Sequence, residues 1–274
     1  MDVGIVARKG SDRAVAVAAD LRDAVTAAGA SVWVDAETAD ALDGAADGRS
    51  VEALADCDLA VAVGGDGTFL FAARNAGDTP IVGINLGEVG FLNAVSPENA
   101  TEAVCNEVEA FARGEMAVRE VPRLAARSGA WTSVPAANEI VIQGGRRGPG
   151  AGIDYVVHVD GSRYTGGHAD GVLIATPTGS TAYNLSERGP LVHPSVSGLV
   201  VTEMVAEGGM PPLVTDIDST ISVSIEGDEA VVVSDGRNVT ELDAPAEVTV
   251  QRTTPPMRIA GPPSDFFEAL GKLS

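Results

Sequence analysis

Apolar and polar positions along the chain follow two periods in turn. "MDVGIVARKG" opens with an alternating apolar run of strand type, and "SDRAVAVAADLRDAVTAAGA" then sets apolar residues at helical spacing, with Ser11 as N-cap and Gly29 as stop. "SVWVD" reads as the next strand. A helical segment leads through "SVEALADCD" to the strand "LAVAV", "TFLFAARNAG" reads as a helix, and "TPIVGINLG" is a further strand with a glycine-rich end. "SPENATEAVCNEVEAFARGE" predicts another helix, with Ser96 at its start. Strands alternating with helices predict a parallel sheet with covering helices, whose ligands sit beyond the carboxyl ends of the strands.

The period changes near residue 118. "REVPRLAARS", "EIVIQ", "IDYVVHVD", "GVLIAT", "STISVSIE", "AVVVSD" and "AEVTVQ" are short strand candidates separated by Gly, Pro and Asp turns, as in an antiparallel β-rich domain. "SDFFEALGKLS" at the C-terminus predicts a helix capped by Ser264, with Phe266, Phe267 and Leu270 on an apolar face. The expectation is therefore an α/β domain over residues 1–118 and a β-rich domain over 119–261, with the helix 262–274 packing back on the first. No repeat of fixed period is seen.

Composition narrows the function classes. In 274 residues, 45% hydrophobic content supplies a real core, while the longest apolar runs are too short to cross a bilayer. No basic start followed by an apolar stretch marks a leader, so the expectation is a soluble cytoplasmic protein with no membrane partner. Cys57 and Cys105 lack CxxC spacing, and His158, His168 and His193 lack HExxH spacing, so neither a disulfide framework nor a protein-held metal is expected. The net charge of −21 argues against a nucleic-acid partner, because phosphate contacts need cations. Lys9 and Lys272 are the only lysines, and the acids are scattered along the whole chain, as a solvated surface requires. Such a surface suits a host with a very salty cytoplasm, where self-repulsion is screened.

Four stretches carry candidate chemistry. "VAVGGDGTFL" places Gly64, Gly65, Asp66, Gly67 and Thr68 at a strand-to-helix switch, where exposed N–H groups and a helix N-terminus suit phosphates. It lacks the lysine of a Walker A loop, and Asp-Gly is also an ordinary turn pair. An acid among phosphate-cradling amides is repulsive unless it holds a metal ion or takes a proton from a hydroxyl. "INLGEVGFLNAV" sets a second glycine-rich strand end one unit later, with Phe91 either lining the crevice or in the core. "ANEIVIQ" offers Asn138 and Glu139 at a strand start, an amide and a carboxylate at one point. "HADGVLIATPTGSTAYNLSERGP" gathers small hydroxyls and one aromatic in a loop constrained by Pro and Gly, which suits a nucleoside. No partner histidine or GxSxG elbow supports a serine nucleophile.

The order GGDGT, "NLGEVGFL", "NE", "DGVLIATPTGSTAYNLS" and a late Asp235-Gly236 resembles the NAD kinase family, and does so over essentially the whole chain. GGDGT alone is shared with diacylglycerol and sphingosine kinase relatives, whereas "ATPTGSTAYN" is highly specific. The resemblance, here to a member from a halophilic archaeon, implies transfer of the γ-phosphate of ATP, or of a phosphate of polyphosphate, to the 2'-hydroxyl of the adenosine ribose of NAD. It implies Mg²⁺ with the ATP, no metal ligands from the protein, NAD bound in a cleft between the domains, and a homodimer or homotetramer. Carried over by motif, Asp66 is the catalytic carboxylate and Gly64, Gly65, Gly67 and Thr68 form the phosphate loop. Phe91, Asn138, Glu139, a nearby Asp170, Thr178, Thr181, Ala182, Tyr183 and Ser186 form the NAD pocket. Alternatives are a catalytically weak NAD(P)-binding paralogue and a GGDGT lipid or sugar kinase. Arg188-Gly189-Pro190 stands where many members read Gly-Gly-Pro, and "TEMVAEGGMPPLVTDID" replaces a Pro-His segment.

Overall fold

A computed structural model describes residues 1–42, 48–87, 90–145, 152–227 and 229–272; Glu88 and Val89 of the second glycine-rich loop lie outside the described residues. The chain forms two compact units, Met1–Val121 with Pro255–Ser274, and Pro122–Thr254.

The first unit runs β1 (Asp2–Ala7), α1 (Asp12–Ala27), β2 (Ser31–Asp35), α2 (Ala36–Ala41), β3 (Gly48–Arg49), β4 (Leu59–Gly64), α3 (Asp66–Asn75), β5 (Ile81–Asn85) and α4 (Ala100–Arg113). The strands lie in the order β5-β4-β1-β2-β3, each pair parallel. Every residue of β4 is buried, which is why "LAVAVG" is apolar without alternation: a central parallel strand is covered on both faces. Ser11 caps α1 by accepting from Ala14 N at 3.3 Å. α4 ends at Gly114 in the left-handed conformation that glycine takes without a Cβ penalty.

Two helix expectations change. "SVEALADCD" is a 3-10 turn at Val51–Asp56, which buries only Leu54 and is too short to close a full α-helical ladder. Ser96 precedes a 3-10 turn at Pro97–Asn99 and makes no cap bond, while α4 starts at Ala100.

The second unit continues through β6 (Val118–Ser128), which enters from the first, then β7 (Trp131–Thr132), β8 (Glu139–Gly144), β9 (Ile153–Val159), β10 (Ser162–Ala169), β11 (Gly171–Ala175), α5 (Tyr183–Ser186), β12 (Gly198–Met204), β13 (Leu213–Asp216), β14 (Ile221–Glu226), β15 (Glu229–Ser234), β16 (Asn238–Asp243) and β17 (Ala246–Ala260). One antiparallel sheet has the order β13-β12-β11-β8-β15-β16. In the other, β9 pairs with β10 and β14, and β14 pairs with the start of β17. Ile140, Ile142, Val172, Ile174, Leu199 and Val201 of the six-stranded sheet meet Tyr155, Val157, Val223 and Val248 of the other in one core. The alternate residues Val141, Leu173, Ala175 and Val200 point to the opposite face and form a smaller cluster against which Tyr183 packs. The strand ends that carry the candidate site thus stand on a sheet buried on both sides.

β17 then leaves the second unit, and its Ile259 pairs in parallel with Ile81 of the first. The final helix, α6 (Phe266–Gly271), is capped by Asp265, which accepts from Phe267 N and Glu268 N, and not by Ser264. Ser264 Oγ instead donates to Phe91 O at 2.8 Å. The expected apolar face is also corrected: Ala269 is the buried residue, Phe266 packs on Phe91 with ring centroids 6.0 Å apart, and Phe267 is 71% exposed. Among the described residues no helix is long and apolar enough to cross a membrane.

Candidate active site

In the first unit the candidate chemistry gathers at the carboxyl ends of β4 and β5. β4 stops at Gly64, Gly65 is the N-cap of α3, and Asp66 begins the helix. Three contacts explain the shape of this turn. A Cβ on Gly64 would lie 2.7 Å from Thr68 Cβ and 3.1 Å from Arg8 Cβ, so Gly64 is fixed by close packing. Gly65 and Gly67 face open space, where a ligand can approach the backbone. Thr68 N donates to Gly65 O at 2.9 Å, so the Thr68 backbone serves the turn and its side chain packs on Gly64.

Asp66 turns its carboxylate toward the loop after β5. Oδ2 accepts from Phe91 N at 3.2 Å and Oδ1 from Leu92 N at 3.4 Å. Burial pushes the Asp66 pKa above the usual carboxylate value, and the backbone donors of Phe91, Leu92 and Asn93 oppose that rise by favouring the ionised form. The loop also borders a 510 Å³ cavity whose lining includes Arg13, Asn85, Asn93, Ser264 and Lys272.

In the second unit the arrangement centres on the start of β8. Asp235, in the left-handed region at φ 47°, accepts from three successive amides: Ala137 N at 3.0 Å, Asn138 N at 2.8 Å and Glu139 N at 3.2 Å. The "TPTG" turn docks on the same residues. Thr176 Oγ1 donates to Ala137 O at 2.6 Å, Thr176 N to Asn138 O at 2.8 Å, and Gly179 sits where a Cβ would lie 2.9 Å from Asn138 Cα.

The rest of that loop is held from within. Ser180 Oγ donates to Pro177 O at 2.7 Å, and Asn184 Nδ2 donates to Pro190 O at 3.0 Å while its Oδ1 accepts from Thr202 Oγ1 at 2.8 Å. Arg188 has φ 62°, a conformation that glycine adopts without strain.

Glu139 is 4% exposed and its pKa is pushed up to about 8, first by burial and then by the Asp235 charge, against the Tyr183 N–H that its carboxylate accepts. Glu139 Oε2 and Asn138 Oδ1 are buried without partners among the described residues.

The structure thus brings Asn138, Glu139 and the 178–183 turn together through Asp235, Thr176 and the Tyr183 N–H, and it brings Asp66 and Phe91 together in the first unit. Ser186 is exposed at the end of α5. Asp170 is not beside Asn138: it precedes Gly171, which pairs with Gln143, whereas Glu139 pairs with Ala175 at the other end of the strand. At roughly 3.3 Å per residue, the strand separates the two by about 20 Å. Asn93 does work that its sequence neighbourhood does not announce, and the late Asp235-Gly236 turn was visible in the sequence without its target.

Comparison with known proteins follows the same two halves. The profile of the ATP-NAD kinase N-terminal domain matches residues 3–110, and that of the ATP-NAD kinase C-terminal domain matches residues 137–260. An NAD kinase of Halorubrum lacusprofundi is 81% identical over 275 residues, covering 100% of both chains, and one of Halobacterium salinarum is 56% identical with the same coverage. The crystal structure of an NAD kinase from Archaeoglobus fulgidus in complex with ATP superposes with a TM-score of 0.81 at 29% identity, over 100% of this chain and 98% of that one. Yeast NADH kinase, at 21% identity and a TM-score of 0.88 over 100% of this chain and 87% of that one, shares the fold.

Proposed function

The chain belongs to the NAD kinase family, and from that membership we propose how its two units divide the transfer of the ATP γ-phosphate to the 2'-hydroxyl of NAD. The first unit supplies the phosphate loop and the base; the second holds the dinucleotide. The observation that carries the reading is Asp66, a partly buried carboxylate held by two loop amides and flanked by two glycines that face open space.

Gly65 and Gly67 admit the phosphates to the backbone, and Arg8, bordering Gly64 at the end of β1, meets their charge. Asp66 accepts the proton of the 2'-hydroxyl as that oxygen bonds to the γ-phosphorus; the bond from phosphorus to the bridging oxygen breaks and ADP leaves. Among the described residues no group of three or more His, Cys, Asp or Glu side chains is placed to hold a metal ion. Mg²⁺ arriving on the nucleotide's own phosphates would neutralise their charge.

In the second unit Asn138, Glu139 and Tyr183 hold the nucleoside, with Thr178, Thr181 and Ala182 shaping the turn and Ser186 at its rim. Glu139, neutral near pH 7 by virtue of its pKa of about 8, adds no repulsion against a bound pyrophosphate and offers an O–H as well as acceptors. Phe91 packs beside the site in the first unit. Asp170, a strand's length from Asn138, would join the pocket of a neighbouring copy in the homodimer or homotetramer that the family reading favours as the working form. The cytoplasm is the compartment that supplies both substrates.

Purified protein incubated with NAD, ATP and MgCl₂ in molar KCl is expected to make NADP, detected with an NADP-specific dehydrogenase. Polyphosphate in place of ATP tests the second donor. Absence of NADP at every salt concentration would leave a dinucleotide-binding protein and refute the reading.

A further inference from the structure

β5 carries an apparent fault: Gly83 interrupts a fully buried run between Val82 and Ile84, where glycine weakens a strand and packs nothing. Its neighbour explains it. A Cβ at Gly83 would collide with the Asn93 carboxamide, lying 2.8 Å from Cγ and 2.9 Å from Cα. The missing side chain makes room for an asparagine that is only 2% exposed.

Buried in this way, Asn93 uses one hydrogen bond to reach the phosphate loop. Nδ2 donates to Gly64 O at 3.1 Å, beside the Leu86 N–H that takes the same carbonyl at 3.0 Å. Oδ1 faces Gly83 and has no partner among the described residues, so the side chain's polar work is this one bond. The two residues just before it present their amides to the two oxygens of Asp66. Gly90, where a Cβ would lie 2.6 Å from Asn93 O, lets the loop close over the asparagine.

We propose that Asn93 is a positioning residue for phosphoryl transfer: its carboxamide, admitted by Gly83, ties the loop after β5 to Gly64 and so aims the Phe91 and Leu92 amides at Asp66. The role rests on the kinase reading of Asp66. Ser264 Oγ, donating to Phe91 O, braces the same loop from the C-terminal segment, but it does not touch Gly64. Of the charged groups on the described elements around this loop, Arg8 follows β1 and borders the Gly64 turn, α3 carries Arg74 in its last turn, and the cavity that the loop borders is lined by Arg13, Glu98, Asp265, Glu268 and Lys272. The Phe91, Leu92 and Asn93 amides favour an ionised Asp66, and moving them moves the pH at which the base works.

The test uses Asn93→Asp, which keeps the shape but sets an oxygen against Gly64 O, and Gly83→Ala, which displaces Asn93 without altering it. Both are to be compared with the wild-type chain by the pH profile of kcat, NAD affinity and thermal unfolding. A misplacement of about 1 Å costs on the order of a hundredfold in rate, so both variants are expected to lose turnover. Both should also shift the acidic limb of the profile to higher pH, because the ionised form has lost its donors, while NAD affinity holds. If either folded variant keeps the wild-type limb, whatever its rate, the positioning role is overturned. If the wild-type chain forms no NADP, it is the kinase reading that fails. Should Asn93→Asp not fold, Gly83→Ala alone decides.

Discussion

Asp66 can accept a proton only when ionised, and its surroundings pull both ways: burial raises its pKa and three loop amides lower it. Turnover is therefore expected to fall on the acid side at a pH above that of a free carboxylate. Asp66→Asn keeps the shape and removes the base, so it should lower kcat by about 10²- to 10⁴-fold while NAD binding, measured by calorimetry, is retained. Near-normal turnover in that variant would refute the assignment.

Glu139 poses the opposite problem, a buried acid whose proton the fold retains. Its native pKa of about 8 stands above its ordinary 4.5, so between those values the folded chain holds a proton that the unfolded chain has released. Stability must then fall as pH rises through that window. Glu139→Gln removes the titration, and above pH 8 the variant should exceed the wild type by on the order of 5 kcal/mol in denaturant unfolding, with the gain vanishing near pH 4.5. A pH-independent difference would mean that Glu139 is not held neutral.

Elements differ in how far a sequence can announce them. β4 and α1 were legible because burial writes itself into composition: "LAVAV" is apolar on both faces and Ser11 supplies its cap from the next residues. β10, "SRYTGGHA", has neither alternation nor an apolar run; it is a strand because β9 pairs with it along its length, across one register shift between Arg163 and Thr165. At the last helix, Ser264 and Asp265 are both good caps by type, and the choice falls to Asp265 because Ser264 is occupied by Phe91 O, 173 residues away.

The candidate site follows the same rule. Asp66 and the "TPTGSTAYN" turn are local patterns, whereas the triple acceptance by Asp235 and the Asn93 bond to Gly64 join segments distant in sequence. Gly179 is the point where one such junction is most exposed to mutation. Its substitution by Ala drives a Cβ to 2.9 Å from Asn138 Cα, against backbone that Asp235 holds in place. Gly179→Ala is expected to cost about 1–3 kcal/mol by overpacking and to weaken NAD binding more than ATP binding. Equal losses for the two ligands would argue that the turn serves folding alone.

At the scale of the whole molecule the governing quantity is charge: 39 acids against 18 Lys and Arg, for a net −21. Several ion pairs among the described residues are exposed, among them Arg13–Glu98, Arg252–Asp218 and Lys272–Glu268. Such pairs contribute only about 0–1 kcal/mol each, so screening them forfeits little. The unpaired excess repels itself over a range that shrinks from about 30 Å at 0.01 M salt to about 3 Å at 1 M. Repulsion wins at low salt, and Tm should rise with KCl, most steeply over that interval. The same field opposes two anionic substrates, so the KM for ATP should rise as KCl is diluted, beyond any change in Tm. The 81% and 56% identical relatives belong to Halorubrum and Halobacterium, and the salt response fits their company. A Tm indifferent to dilution would show that this acidic surface is not held together by screening, and an unchanged KM would show that the site is shielded from the field of the molecule around it.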